Sequence, residues 1–235
     1  MSRWRCLLAG LVFVALLPRD ALPQEAAWRS HMETAAAAHR RGDSANSERS
    51  LRGALDLAQG FARYDRRRGE THLALATVLF EQERYAEARS HLERTVAIFE
   101  TAPDGDHALV ATALDALALT HMRDGGYAEA EPAFGRALAI FETEYGPDHG
   151  DVGQVLGKLA GLYLADGRYQ GAEPLYRRSI AIKEKTFGGR HSEVGQALES
   201  FAIVLRMIGR EAEADAVDAR AGAILYRETK ATPAG

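Results

Sequence analysis

Three histidines, His107, His149 and His191, stand 42 residues apart. Such regular spacing of a metal-ligating residue invites a metal-centre reading. Zinc ligands, however, must converge to about 2 Å from one ion, and residues that recur once per structural unit are held a unit's width apart. The spacing therefore assigns these histidines to a recurring turn, and no metal is expected. His31, His39, His72 and His91 show no ligand spacing with an acidic partner, and His121 falls on a helical core position. The single cysteine, Cys6, excludes an internal disulfide, a thiolate metal centre and a nucleophilic cysteine in the folded part. Gly125-Gly126 and Gly188-Gly189 lack the lysine that follows and the strand that precedes a phosphate-binding loop. No Gly-x-Ser-x-Gly elbow and no His-Glu-x-x-His motif occurs. Glu129 and Glu131 read as solvated carboxylates at a helix start, where they favour the helix dipole. Tyr85, Tyr127 and Tyr169 recur at one place and read as packing. No catalytic residue, no enzymatic activity and no cofactor is expected.

The elements that carry these residues are repeats. Tyr127-Ala-Glu-Ala-Glu-Pro-Ala-Phe-Gly-Arg-Ala-Leu-Ala-Ile140 returns as Tyr169 to Ile182 and, in the other direction, as Tyr85 to Ile98, each shifted by 42 residues. Glu211 to Ile224 repeats it again without the tyrosine. A fixed period in this range marks stacked supersecondary units, none of which buries its apolar face alone. Upstream of each run lies a second periodic segment: His72, Leu75, Ala76, Leu79; Leu114, Leu117, Ala118, His121; Leu156, Leu159, Ala160, Tyr163; Leu198, Phe201, Ala202, Leu205. The i, i+3, i+4, i+7 spacing is one face of a helix. Alanines 76, 118, 160 and 202 on the first helix, and 88, 130, 172 and 214 on the second, allow close approach. Glu83-Arg84, Gly125-Gly126, Gly167-Arg168 and Gly209-Arg210 break the two segments apart, and glycine there can adopt the left-handed conformation that ends a helix. Each unit is thus a helical hairpin.

Hydrophobic and charged fractions of 46% and 26% belong to a folded chain, and a net charge of −4 without a basic stripe argues against nucleic acid. Two arginines precede an apolar run from Cys6 to Leu17, closed by Pro18. A run of about a dozen apolar residues suits a signal-peptide core, whereas a spanning helix needs about 20. An exported protein, periplasmic or secreted, is expected, with Ala21 and Ala26 as candidate cleavage ends; an uncleaved inner-membrane anchor is the alternative. Ala-, Arg- and Gly-rich usage points to a bacterial periplasm.

The pattern Leu-x2-Leu-Ala-x2-aromatic, followed by Ala-x3-aromatic, resembles the tetratricopeptide repeat. The 42-residue period, the joints Gly146-Pro147-Asp148-His149, Asp104-Gly105-Asp106-His107 and Gly189-Arg190-His191, and the run Ala172 to Ile182 resemble its kinesin-light-chain-like subclass. The resemblance implies an all-α, right-handed helical-hairpin solenoid of about five repeats. Residues 1–23 are the signal peptide or anchor, 24–64 a divergent first repeat, 65–106, 107–148 and 149–190 regular repeats, 191–232 a capping repeat and 233–235 a tail. It further implies that first helices line a concave groove. The inward positions are Glu70, Leu73, Thr77 and Phe80; Thr112, Asp115, Leu119 and Met122; Gln154, Gly157, Gly161 and Leu164; and Gln196, Glu199, Ile203 and Arg206. Asp115, Leu119, Gly157 and Gly161 stand where carboxylate-clamping relatives carry Lys, Asn and Arg, so that activity is not implied. Nor do Asp115-Ala116, Gly157-Lys158 and Glu199-Ser200 match the paired asparagines of kinesin-light-chain-like grooves. The expectation is a protein-interaction scaffold binding a protein or peptide segment with apolar anchors. The alternative is a self-associating structural protein with no peptide ligand.

Overall fold

The apolar periods of 3.6 residues fold as helices with identifiable starts and stops. The computed structural model describes residues 23–102 and 106–231. The stretch expected as a signal peptide or anchor, apart from Pro23, and the 233–235 tail lie outside them. The described residues form ten helices and no strand, in two compact units that divide at Asp124–Gly125. The first unit holds α1 (Pro23–Arg40), α2 (Ser44–Ala58), α3 (Arg66–Glu81), α4 (Tyr85–Thr101) and α5 (His107–Arg123). In it α1 pairs with α2 and α3 with α4, while α2 packs on α3 and α4 on α5. The second unit holds α6 (Tyr127–Tyr145), α7 (Gly150–Ala165), α8 (Tyr169–Phe187), α9 (Ser192–Met207) and α10 (Glu211–Ala231). There α7 pairs with α8 and α9 with α10, with α6 on α7 and α8 on α9.

Helix starts follow a rule. Asp65, Asp106, His149 and His191 precede the first helices α3, α5, α7 and α9, and each side chain accepts a hydrogen bond from a backbone N–H of the first turn. This satisfies one of the donors that a helix start leaves open. The joint histidines therefore have a structural task in two repeats: His149 and His191 accept through Nδ1 from Asp151 N and Glu193 N. Each also packs against the aromatic residue that ends the preceding helix, His149 tilted on Tyr145 at 4.5 Å and His191 stacked on Phe187 at 4.9 Å between ring centres. His107 instead opens α5, and Asp106 takes over the capping.

The hairpin turns end the first helices with a left-handed residue. Gly42, Gly125, Gly167 and Gly209 have φ between 75° and 82°, and Glu83 takes the same conformation at 61°. The N–H after each of Gly42, Glu83, Gly167 and Gly209 reaches five residues back, as Arg168 N does to Tyr163 O at 2.8 Å. These are Schellman closures.

The recurring alanines 76, 88, 118, 130, 160, 172, 202 and 214 are all buried. Glycine extends the close approach at a second level. A Cβ on Gly69, Gly153 or Gly195 would fall 2.6, 2.7 or 2.8 Å from Phe99, Ile182 or Leu225 of the partner helix. Ser179 Oγ donates to the Gly153 carbonyl at 2.6 Å, and Thr95 Oγ1 lies 3.4 Å from that of Gly69. Gly135, in the middle of α6, has nothing within 4 Å of its Cβ direction. Helix propensity favours alanine over glycine by about 0.5–1 kcal/mol. Gly135→Ala is therefore expected to raise stability by about that amount. Gly153→Ala should lower it by about 1–3 kcal/mol through overpacking, both read by chemical denaturation.

Candidate interaction surface

The sixteen positions assigned to the inner face separate by environment. On α3, Leu73 and Thr77 are buried, and Leu73 packs with Leu92 of α4 and Ala116 of α5. Leu119 of α5 is buried as well. These three are core residues, a correction to the expected lining. Leu73 is covered because Leu92 of α4 and Ala116 of α5 both pack against it. Phe80 is half-buried against the cluster of Leu75 and Val78 and meets Tyr85 edge-on at 5.5 Å. Glu70 accepts from Arg66 at 2.7 Å, and Arg66 also reaches Asp106 at 3.0 Å. What α5 leaves half-open is Thr112, Asp115 and Met122, spaced to share one face.

In the second unit Gly157 needs correction too. Its Cβ direction ends 2.9 Å from Ser179 Oγ, so it faces the partner helix of its own hairpin. A large side chain there would collide with α8. Gly161 looks toward the Tyr176 hydroxyl at 3.6 Å. Leu164 packs against the cluster of Val194, Ala197 and Leu198. Arg206 folds onto α10, 2.6 Å from Asp218 and 3.4 Å from Asp215. Gln154 is half-buried, and Gln196, Glu199 and Ile203 are exposed on α9.

Two clusters escaped the linear reading. His72 of α3 and His91 of α4 place their Nδ1 atoms 2.8 Å apart, with ring centres at 5.0 Å. One ring donates and the other accepts, so both are held neutral in opposite tautomers. Burial, reinforced by His91, Arg94 and Arg68, pushes His72 down to about 4; burial, with Arg94 and Arg52 against an opposing Glu87, also lowers His91. The pairing was legible in principle, because Ala76 and Ala88 define an antiparallel register that brings 72 beside 91. Glu131 is the second cluster, and it corrects the solvated reading. It accepts from Tyr163 Oη at 2.5 Å and pairs with Arg168 at 2.7 Å, while Arg168 stacks 3.9 Å above the Tyr163 ring. The Arg168 hydrogen bond, then that of Tyr163, holds the Glu131 carboxyl below its usual range. Among the described residues no group of three or more His, Cys, Asp or Glu gathers as a metal site would require. No described helix is long and apolar enough to cross a membrane.

Hairpins with capped first helices, left-handed turns and recurring buried alanines define a helical-repeat protein. The tetratricopeptide repeat model matches residues 29–101, 67–143, 109–185 and 151–225, and the chain belongs to that family. Its fold is similar to the nearly identical TPR-like repeats of a kinesin light chain from Podosopora anserina (21% identity, TM-score 0.74, covering 91% of this chain and 100% of that one). It is also similar to BtubC (BKLC) from P. vanneervenii (21% identity, TM-score 0.73, 91% and 95%) and to MamA (20% identity, TM-score 0.62, 89% and 97%). No curated protein matches it in sequence. Tetratricopeptide repeats are in general scaffolds that bind protein partners.

The histidine pair carries a pH dependence. Folded values lie below the ordinary 6.5, so the folded chain binds fewer protons than the unfolded one between about 6.5 and 4. This stability is complete above that window and is lost as pH falls through it. Lowering the pH from 7 to 5 is expected to cost about 1–2 kcal/mol through this pair. Replacing both residues with leucine, the residue found at 114 and 156 where the repeat places His72, should flatten the dependence measured by urea denaturation.

Proposed function

We propose that the chain is an exported, non-catalytic adaptor that holds an extended or helical segment of a protein partner along the open faces of its first helices. The observation that supports this is the contrast within α5 and α9. Leu114, Ala118, Leu198 and Ala202 are buried, while Thr112, Asp115 and Met122 on α5, and Gln196, Glu199 and Ile203 on α9, keep access to solvent. Both strips set an apolar side chain beside a carboxylate. A partner with apolar anchors and flanking basic residues fits that chemistry. Repeats rigidified by buried small-residue contacts present the surface preformed, so binding forfeits little conformational entropy.

The direct test is capture from a periplasmic extract with the wild-type chain, Asp115→Arg and Met122→Lys, with helicity of each verified by circular dichroism. A partner retained by the wild type and lost with both variants supports the adaptor reading. One retained by both variants removes the α5 face from recognition.

For export, cleavage after Ala21 leaves α1 whole. Cleavage after Ala26 would remove Gln24, which donates to Leu57 O at 2.7 Å, and Glu25, which pairs with Arg67 at 3.0 Å. The intact mass of protein recovered from the periplasm is expected to correspond to a chain starting at Leu22. Recovery only from the cytoplasm, at full-length mass, overturns export.

A further inference from the structure

The interface between successive repeats is seen within the first unit, where Leu73 of α3 packs on Ala116 of α5 with Leu109 and Leu117 beside it. One side of that contact recurs at the last repeat. Three periods of 42 residues on from Leu73 and Thr77 stand Glu199 and Ile203 of α9. Thr77 and Leu119 are 3% and 6% exposed, while Ile203, at the same register, is 48% exposed, and Met207 one turn on is 51% exposed. The other side recurs at the first repeat. The left-handed turn residues Gly42 and Gly125 set α1 83 residues ahead of α5. Leu109, Ala113, Ala116 and Leu117 then correspond to Ala26, Ser30, Glu33 and Thr34, and all four of these are exposed.

We propose that these two faces meet between copies: the α9 face of one molecule stacks on the α1 face of the next, continuing the repeat contact from chain to chain. The occupant is a second copy because, among the described residues, the α9 face presents one half of the repeat contact and the α1 face the other. Ile203 is a protruding apolar knob, and the opposing α1 strip of Ala26, Ser30 and Thr34 is small and flat, as Ala113 and Ala116 are within the chain. Arg206, at the register of Phe80, Met122 and Leu164, is folded down against Asp215 and Asp218. It therefore leaves the Ile203 face clear. Within this register Glu199 comes opposite Glu33, as Leu73 does opposite Ala116. Like charges across an interface weaken it, so the stacking is weak and reversible. The contact is head-to-tail, joining two different surfaces, and does not close at two copies by symmetry. It does not involve the α5 strip of Thr112, Asp115 and Met122, but it claims Glu199 and Ile203 of the α9 strip, so stacking and partner binding at α9 exclude one another.

Sedimentation velocity of the full chain over rising concentration tests it. The expected result is a reversible rise in mean mass. Ile203→Glu should weaken association about tenfold through loss of the buried knob, and Ser30→Glu, on α1, should weaken it comparably. Glu199→Gln should tighten it about threefold by removing the repulsion. An equimolar mixture of Ile203→Glu and Ser30→Glu chains should stop at dimers, since only one good end of each remains. A monomer at every concentration overturns the proposal. So does association that responds to Ile203→Glu but not to Ser30→Glu, because α9 would then pair with itself.

Discussion

Everything in this molecule depends on how closely two antiparallel helices can approach. At 76, 88, 160 and 172 the recurring alanines are buried. At Gly69, Gly153 and Gly195 even a Cβ would collide with the partner side chain. Close approach brings many weak dispersion contacts into range at once, and their sum is large although each is small. It also forces the remaining polar backbone to be met locally, which Ser179 does for the Gly153 carbonyl. The hairpin is consequently stiff, and stiffness is what a display surface requires.

Charged side chains add register to this packing. Arg84 reaches Glu48 at 2.8 Å, Arg168 reaches Glu131 at 2.7 Å, and Arg210 pairs with Glu173, so an arginine of the hairpin turn grips the second helix of the repeat before it. Arg89 and Asp124 form the same link with signs exchanged. Exposed pairs of this kind contribute little to stability, because solvent screens them. Their value is in selecting which turn meets which helix. The Tyr163 ring beneath Arg168 adds a partly desolvated example.

Position in the array decides what one residue type does. At the register of Thr77, Leu119 and Ile203 the side chain goes from buried in the first two to 48% exposed in the third. The histidine register behaves likewise: His149 and His191 cap helices, while an aspartate one residue earlier displaces His107 from the task. Glu83 holds a left-handed conformation where other turns have glycine. The surrounding packing imposes that strain, which costs of order 1 kcal/mol.

Period, hairpin architecture, left-handed glycine turns and the burial of the repeated alanines were decided by the sequence alone, because they are local or repeat at one spacing and each copy checks the others. Thr112, Asp115 and Met122 lie at fixed offsets from Ala118 and stay half-buried, whereas Leu119, chosen by the same offsets, is buried. The rest required the fold. Leu73 and Gly157 share the offsets of exposed neighbours, yet contacts with other helices claim them. His72 and His91 meet only because two helices close, and Glu131 is claimed by a tyrosine and an arginine from the following hairpin. A helical wheel specifies direction around one axis, whereas burial and pairing depend on which second axis stands beside it, and only the tertiary structure sets that.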